Sequence, residues 1–145
     1  MKTFVGHQFG RYVIIGLQKG DLILESIRSE IDRLGIRNGI VTSGIGAACR
    51  MRYHRIEDTE DFPTDTFHVV EGPTEISHFG GLIVNGVPHL HVSFADHERA
   101  YAGHLEDGCE IQYVGEISIL EVLDLDADRL PNAYGVKLLS EKASS

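Results

Sequence analysis

Gly81-Leu82-Ile83-Val84-Asn85-Gly86-Val87-Pro88-His89-Leu90-His91-Val92 is the stretch that decides how this chain folds. Asn-Gly between two β-like apolar runs is the strongest local signal for a type I′ hairpin, because both central residues must take positive φ. A two-residue turn also sets register: Leu82 should lie opposite His89, Gly80 opposite His91, and His78 opposite Ser93. Side chains two apart on a strand share a face. Leu90, Val92 and Phe94 therefore point one way, into the core, while His89, His91 and Ser93 point the other.

Outward from this hairpin the rest of the domain reads as follows. Arg11–Leu17 is a β-branched and aromatic strand that ends at the Lys19-Gly20 turn. Asp21 is placed to accept from the free amides of a first helical turn. Leu24, Ile27, Ile31 and Leu34 recur at helical spacing among charged residues, which predicts one amphipathic helix of about four turns with Gly35 as its terminator. Gly39–Thr42 is again strand-like and leads into Ser43-Gly44-Ile45-Gly46-Ala47, whose small residues suit a bulge or close backbone approach. Glu57–Asp65, acidic and containing Pro63, reads as a surface loop. From Phe67 the chain is all β, with a long stretch at Cys109–Leu125 and a closing segment at Leu130–Leu139. One main helix and about seven strands predict an α+β fold, an antiparallel sandwich-like sheet in a single domain over 1–145, with 140–145 a flexible tail.

Composition narrows the function classes. Acidic residues outnumber basic ones 22 to 13, giving a net charge of -9. Proteins that grip nucleic acid neutralise phosphates with clustered Lys and Arg. Here the most basic run, Arg50 to Arg55, is followed at once by Glu57, Asp58, Glu60 and Asp61, so direct nucleic-acid binding is not expected. No apolar run approaches the roughly 20 residues needed to span a bilayer, and Met1–Gly10 has no continuous apolar stretch of the secretory kind. The expected location is the cytoplasm, away from membranes. Cys49 and Cys109 match no paired spacing and read as reduced thiols.

The chain has 8 histidines, and their arrangement matters more than their number. His89 and His91 share a strand face at a separation that lets both reach one ion. Gly80 leaves space in front of His91, and His78 is diagonal to it, either as an extra ligand or as a hydrogen-bonding neighbour. A third imidazole can come from His104 in a Gly103-His104-Leu105 turn. Three imidazoles with an open fourth position form the donor set of catalytic zinc, whereas structural zinc prefers closed, thiolate-rich sets. The competing reading of the pair is an ordinary solvent-facing polar strand face. His7, His54, His68 and His97 have no partner by spacing and read as surface or hydrogen-bonded residues.

Several motifs occur in a telling order: Gly10-Arg11-Tyr12, Gly44-Ile45-Gly46-Ala47, Glu75-Ile76-Ser77-His78-Phe79-Gly80-Gly81, Pro88-His89-Leu90-His91, Gly103-His104-Leu105-Glu106-Asp107-Gly108-Cys109, and an ending from Asp128 to Leu138. Together they resemble the PPC (plants-and-prokaryotes conserved) domain family over nearly the whole chain, in the form of a prokaryotic member without an AT-hook. The resemblance implies a sandwich-like α+β fold, a homotrimer, and a metal site at His89, His91 and His104. It also implies a label as a DNA-binding or regulatory protein, which the charge opposes. His78 departs from the small residue usual there.

Two functions are therefore expected to compete. One is a trimeric protein holding zinc or a similar first-row divalent metal, with a small molecule beside it. The other is a zinc-dependent enzyme acting on a small anionic or carbonyl substrate, since the PPC fold is similar to that of acetolactate decarboxylase. Glu116, Glu75 and Asp96 are the candidate proton-transfer groups, each of them otherwise a solvated carboxylate. Arg11 and Arg50 are candidates to orient an anion, or else surface ion-pair partners.

Overall fold

A computed structural model of the chain describes residues 1–142. In chain order the elements are β1 (Phe9–Gln18), α1 (Ile23–Leu34), β2 (Gly39–Ile56), β3 (Asp65–Val84), β4 (Val87–Ala95), β5 (Ala100–Leu105), β6 (Glu110–Val122), β7 (Asp128–Pro131) and β8 (Lys137–Ser140). The β3–β4 hairpin forms as its turn residues require, with φ of 52° at Asn85 and 79° at Gly86. Leu82 faces His89, Gly80 faces His91 and His78 faces Ser93, as the turn predicts. The tip is anchored by Asn38, which is buried. Its Oδ1 accepts from the backbone N of Asn85 at 3.1 Å, and its Nδ2 donates to the carbonyl of Leu125 at 3.0 Å.

Six strands form one antiparallel sheet in the order β1-β6-β2-β3-β4-β5, and β2 also pairs with β5. Straight strands the length of β2 would reach about 60 Å, beyond the roughly 40 Å breadth expected of a domain this size. A twisted sheet of such strands has to coil. The small residues predicted to allow close approach let it do so: pairing with β6 slips between Val41 and Ser43 and again between Gly46 and Ala48. The far half of β2 thereby meets β5, with Tyr53 opposite Leu105 and His54 opposite His104. The expected sandwich is thus a single sheet curled on itself. The count of strands is also corrected: Leu130–Leu139 folds as the separate β7–β8 hairpin, turning where Asn132 Oδ1 accepts from the amides of Tyr134 and Val136. Ser140 is the last residue of β8 rather than the start of a tail, and 143–145 lie outside the described residues.

Helix α1 buries Ile23, Leu24, Ile27 and Ile31 against the sheet, where they join Phe79, Leu90, Phe94, Ile111 and Ile117 in one core. Its end is as expected: Gly35 has φ 67°, and the Ile36 amide reaches back to the Ile31 carbonyl at 3.0 Å. Its start differs. The N-cap is Leu22, which makes no side-chain cap, while Asp21 accepts from the Gln18 amide at 2.9 Å and closes the preceding turn instead. Both are uses of a short acceptor to satisfy a free amide, and spacing alone does not choose between them.

The sheet face away from α1 carries a lateral row. Tyr12, Leu120, Ile40 and Leu82 stand opposite one another across β1, β6, β2 and β3, and the row continues to His89. Tyr12, Ile40 and Leu82 are 59%, 38% and 37% exposed, a continuous apolar strip on an open surface. No helix of the described residues is long and apolar enough to cross a membrane.

Candidate metal centre

The curl of the sheet gathers four histidines. His89 and His91 project from β4, and His104 sits on β5 directly opposite His91. His104 is therefore a strand residue, not a turn residue, and its position is set by two ladders at once. Ring centroids lie 5.6 Å apart for His89 and His91, 5.0 Å for His89 and His104, and 5.7 Å for His91 and His104. His54 of β2 stacks on His104 at 4.5 Å. His78 is exposed and takes up the space in front of Gly80, where its Nε2 would lie 2.5 Å from an added Cβ. The other three histidines stay apart: the backbone of His7 bonds Asp124, His68 stacks on Tyr53, and His97 is exposed.

Glu106 organises the group. Its Oε1 lies 2.8 Å from His104 Nδ1 and 2.6 Å from His54 Nδ1. His54, His104 and Glu106 are the group among the described residues whose donor atoms all fall within 4.8 Å of one another. Two metal donor sets are thus conceivable, and chemistry separates them. Ligands at about 2.0 Å around a tetrahedral ion sit about 3.3 Å from each other. Separations of 2.6 and 2.8 Å are hydrogen-bond lengths with a proton between. A carboxylate bound to Nδ1 of an imidazole is the usual outer partner of a metal-ligating histidine, and it leaves Nε2 as the free donor. His89, His91 and His104 are thus a candidate set of three imidazole donors whose rings face one another, with Glu106 on Nδ1 of His104, although their donor atoms do not all lie within 4.8 Å of one another as those of His54, His104 and Glu106 do.

Electrostatics favours the neutral, ligating form of the β4 imidazoles. Burial, then the nearby His104, Arg129, His91 and His54, push the His89 pKa down to about 4. Burial, then His104 and His54, lower that of His91. His89 and His91 are nonetheless exposed residues, so their desolvation is only partial. The metal-free protein should consequently lose stability as pH falls from about 6.5 towards 4. In that window the unfolded chain takes up a proton on His89 that the folded chain does not. Urea midpoints measured at pH 7 and pH 5 should differ, and His89→Gln should reduce the difference.

A cleft of about 800 Å³ opens onto the imidazoles, walled by Ile56, Phe62, Pro63 and Val136 as well as His54 and Arg55. None of the proton-transfer candidates lines it. Glu75 and Glu116 border a different hollow beside Tyr113. Asp96 is a turn acceptor for the amides of Glu98 and Arg99 and the Tyr101 hydroxyl, bonds that hold its pKa low. Arg11 is bidentate on Glu121, and Arg50 pairs with Glu71 and Glu110, so both are ion-pair partners. Cys109 is buried with its thiol pushed up to about 11 by desolvation, unreactive as a thiolate. His54 escaped sequence reasoning because its contact depends on the β2–β5 pairing. Glu106 carried a usable signal: it is two residues from His104, just past the end of β5, close enough for its carboxylate to turn back onto the imidazole.

A curled antiparallel sheet with one helix, opening on a cluster of imidazole and carboxylate donors, defines a small α+β domain of candidate metal-binding type. Residues 5–123 match the Plants and Prokaryotes Conserved (PCC) domain, and the chain belongs to that family. A metal-containing protein of Archaeoglobus fulgidus superposes with a TM-score of 0.84 at 23% identity, covering 97% of this chain and 100% of its own. A plant- and prokaryote-conserved protein of Pyrococcus horikoshii gives 0.80 at 25% identity, over 99% of both chains. A candidate DNA-binding protein of Bacteroides thetaiotaomicron gives 0.79 at 20% identity, over 97% of this chain and 99% of its own. The bifunctional protein GlmU of a Synechococcus strain is 26% identical over 74% of this chain, which spans only 17% of that protein's length.

Proposed function

We propose that this chain is a zinc-binding, homotrimeric PCC-domain protein, with the ion on His89, His91 and His104 and Glu106 as the outer partner of His104. The observation that carries the reading is the Glu106–His104 Nδ1 contact at 2.8 Å beside two imidazoles whose pKa values partial burial and neighbouring cations lower. That combination provides an oriented tautomer and low-cost donors. The metal-containing relative from Archaeoglobus fulgidus supports it. Elemental analysis of protein purified without chelator tests it: close to one first-row divalent ion per chain is expected, and a metal-free product would end the proposal.

The trimer is supported by the apolar row from Tyr12 to Leu82, which asks for a partner surface. Light scattering coupled to size exclusion should return a mass near three chains, and a clean monomer at micromolar concentration would refute it. A reduced cytoplasmic setting suits the two free thiols. Direct DNA binding is opposed by the net charge of -9. At physiological salt, micromolar protein should give no sequence-specific shift of duplex DNA, because the counterion-release contribution is missing.

The cleft favours a second reading, a zinc-dependent enzyme for a small anionic or carbonyl substrate. Bound zinc would supply Lewis-acid polarisation there. Within that reading the proton-holding group is His54 at Nδ1, bridged to His104 by Glu106, with Asp65 3.8 Å from its Nε2. The apolar wall of Phe62, Pro63 and Val136 would exclude water from a bound substrate.

A further inference from the structure

His89 and His91 also line a second hollow, of about 400 Å³, whose other walls include Leu82, Arg129, Lys137 and Leu138. Arg129 is held by the strands it crosses: Nη1 donates to the Val87 carbonyl at 3.1 Å and Nη2 to the Leu82 carbonyl at 3.3 Å. Those carbonyls position the guanidinium but carry no net charge to neutralise it. Asp128, next in sequence, is occupied elsewhere, with Oδ1 accepting from the Arg129 amide and Oδ2 from the Asn85 side chain. Neither Arg129 nor Lys137 forms an ion pair among the described residues. Burial lowers the Arg129 pKa, which marks the guanidinium as partly stripped of water.

This is an odd place for unbalanced positive charge in a chain of net charge -9. Arg129 is half-buried while Lys137 is exposed, and a partly desolvated charge is normally paired. Three neutral imidazoles bring no negative charge to a divalent ion, so occupancy of the metal site would add two further positive charges beside Arg129 and Lys137. Glu106 is a single carboxylate shared between His54 and His104. A guanidinium presents five N–H donors in a planar fork, and two bonds leave the remainder to meet paired oxygens.

We propose that the hollow between His89, Arg129 and Lys137 is the binding site of a small oxyanion, a carboxylate or phosphate group. Part of the charge argument rests on the zinc reading above, and part on Arg129 and Lys137 alone. The site gives the protein a ligand class, small anions, and selects against neutral analogues of the same shape.

Cobalt-loaded protein provides the test, since visible absorption reports the coordination environment. Pyruvate and inorganic phosphate are titrated separately into wild type, Arg129→Gln and Lys137→Gln. One or both anions should perturb the cobalt bands saturably in wild type. Arg129→Gln should weaken that response at least tenfold and Lys137→Gln several-fold, with cobalt content unchanged. The stronger anion identifies the group. Bands that ignore both anions, or a response equal in all three proteins, would overturn the proposal while leaving the zinc reading intact. If cobalt does not bind, calorimetric titration of phosphate and pyruvate into the metal-free chain decides, with Arg129-dependent binding in support and no binding against. If Arg129→Gln fails to fold, Lys137→Gln carries the comparison, because its side chain makes no hydrogen bond among the described residues. A cation pair filled instead by a neighbouring subunit's carboxylate would show as a fall in oligomer mass in these variants without any anion response, and that result also refutes the proposal.

Discussion

Replacing His91 by alanine should leave the purified protein essentially free of metal. The imidazole of His91 is one of three on the proposed ion, and its strand neighbours offer no substitute. Ser93 is a weak donor for a first-row ion, and Gly80, opposite, has no side chain. Changes to outer partners of metal ligands typically cost ~10–100-fold in affinity, and loss of a ligand should exceed that. Elemental analysis, followed by competition against a chromophoric chelator, measures it. The same experiment on His54→Ala discriminates the two donor sets. If the ion sat on His54, His104 and Glu106, whose donor atoms lie within 4.8 Å of one another, then His54→Ala would empty the site and His91→Ala would spare it. Glu106→Gln should fall between, keeping the metal but holding it more weakly.

The largest effect on stability is expected from Phe79→Ala. Phe79 is fully buried, and its ring occupies the space that a side chain at Gly44 would need: an added Cβ there would stand 2.3 Å from Phe79 Cδ2. Phe→Ala in a core costs about 3–5 kcal/mol, out of a total stability of about 5–15 kcal/mol for a domain. The structure offers little to collapse into the cavity, because Gly44 has no side chain and β2 and β3 are held by their ladder. Urea unfolding should show the midpoint falling sharply at constant slope, and a loss below about 1 kcal/mol would mean that the ring's packing has been misjudged. Gly44→Ala tests the same contact from the other side and should cost about 1–3 kcal/mol by overpacking. Phe79 precedes Gly80, the partner of His91, so Phe79→Ala should also loosen metal binding by disturbing the hairpin that carries the ligands.

These two sites show how differently core and chemistry were legible. Alternation along 89–94 marks Leu90, Val92 and Phe94 as core and His89 and His91 as their opposite face, and turn chemistry supplies the register that pairs Gly80 with His91. Helical spacing found Ile27 and Ile31, both fully buried. Spacing places the N-cap at Asp21 rather than at Leu22 because a helix cap and a turn use the same short acceptor. Glu75, Asp96 and Glu116 are carboxylates on or near strands, and sequence carries no measure of their distance from an imidazole. His54 has no partner at short spacing, yet it stacks on His104 at 4.5 Å.

By itself, then, the sequence determined whatever depends on local stereochemistry: the type I′ turn at Asn85-Gly86, the two faces of β4, the amphipathic helix closed by Gly35, and the order of motifs that marks the PCC family. The turn, the strand faces and the helix follow from φ preferences and a periodicity of 2 or about 3.6 residues, interactions within a few positions of each other, whereas the order of motifs marks the family by resemblance alone. That β2 bends far enough to pair with β5 emerges from the assembled sheet. That pairing brings His54, His104 and Glu106 together and sets the cleft beside them. It also left Arg129 beside His89 without an ion-pair partner among the described residues. Long-range pairing of this kind arises from the accumulated twist of strands 18 and 20 residues long, a property of the whole sheet that no window of sequence contains.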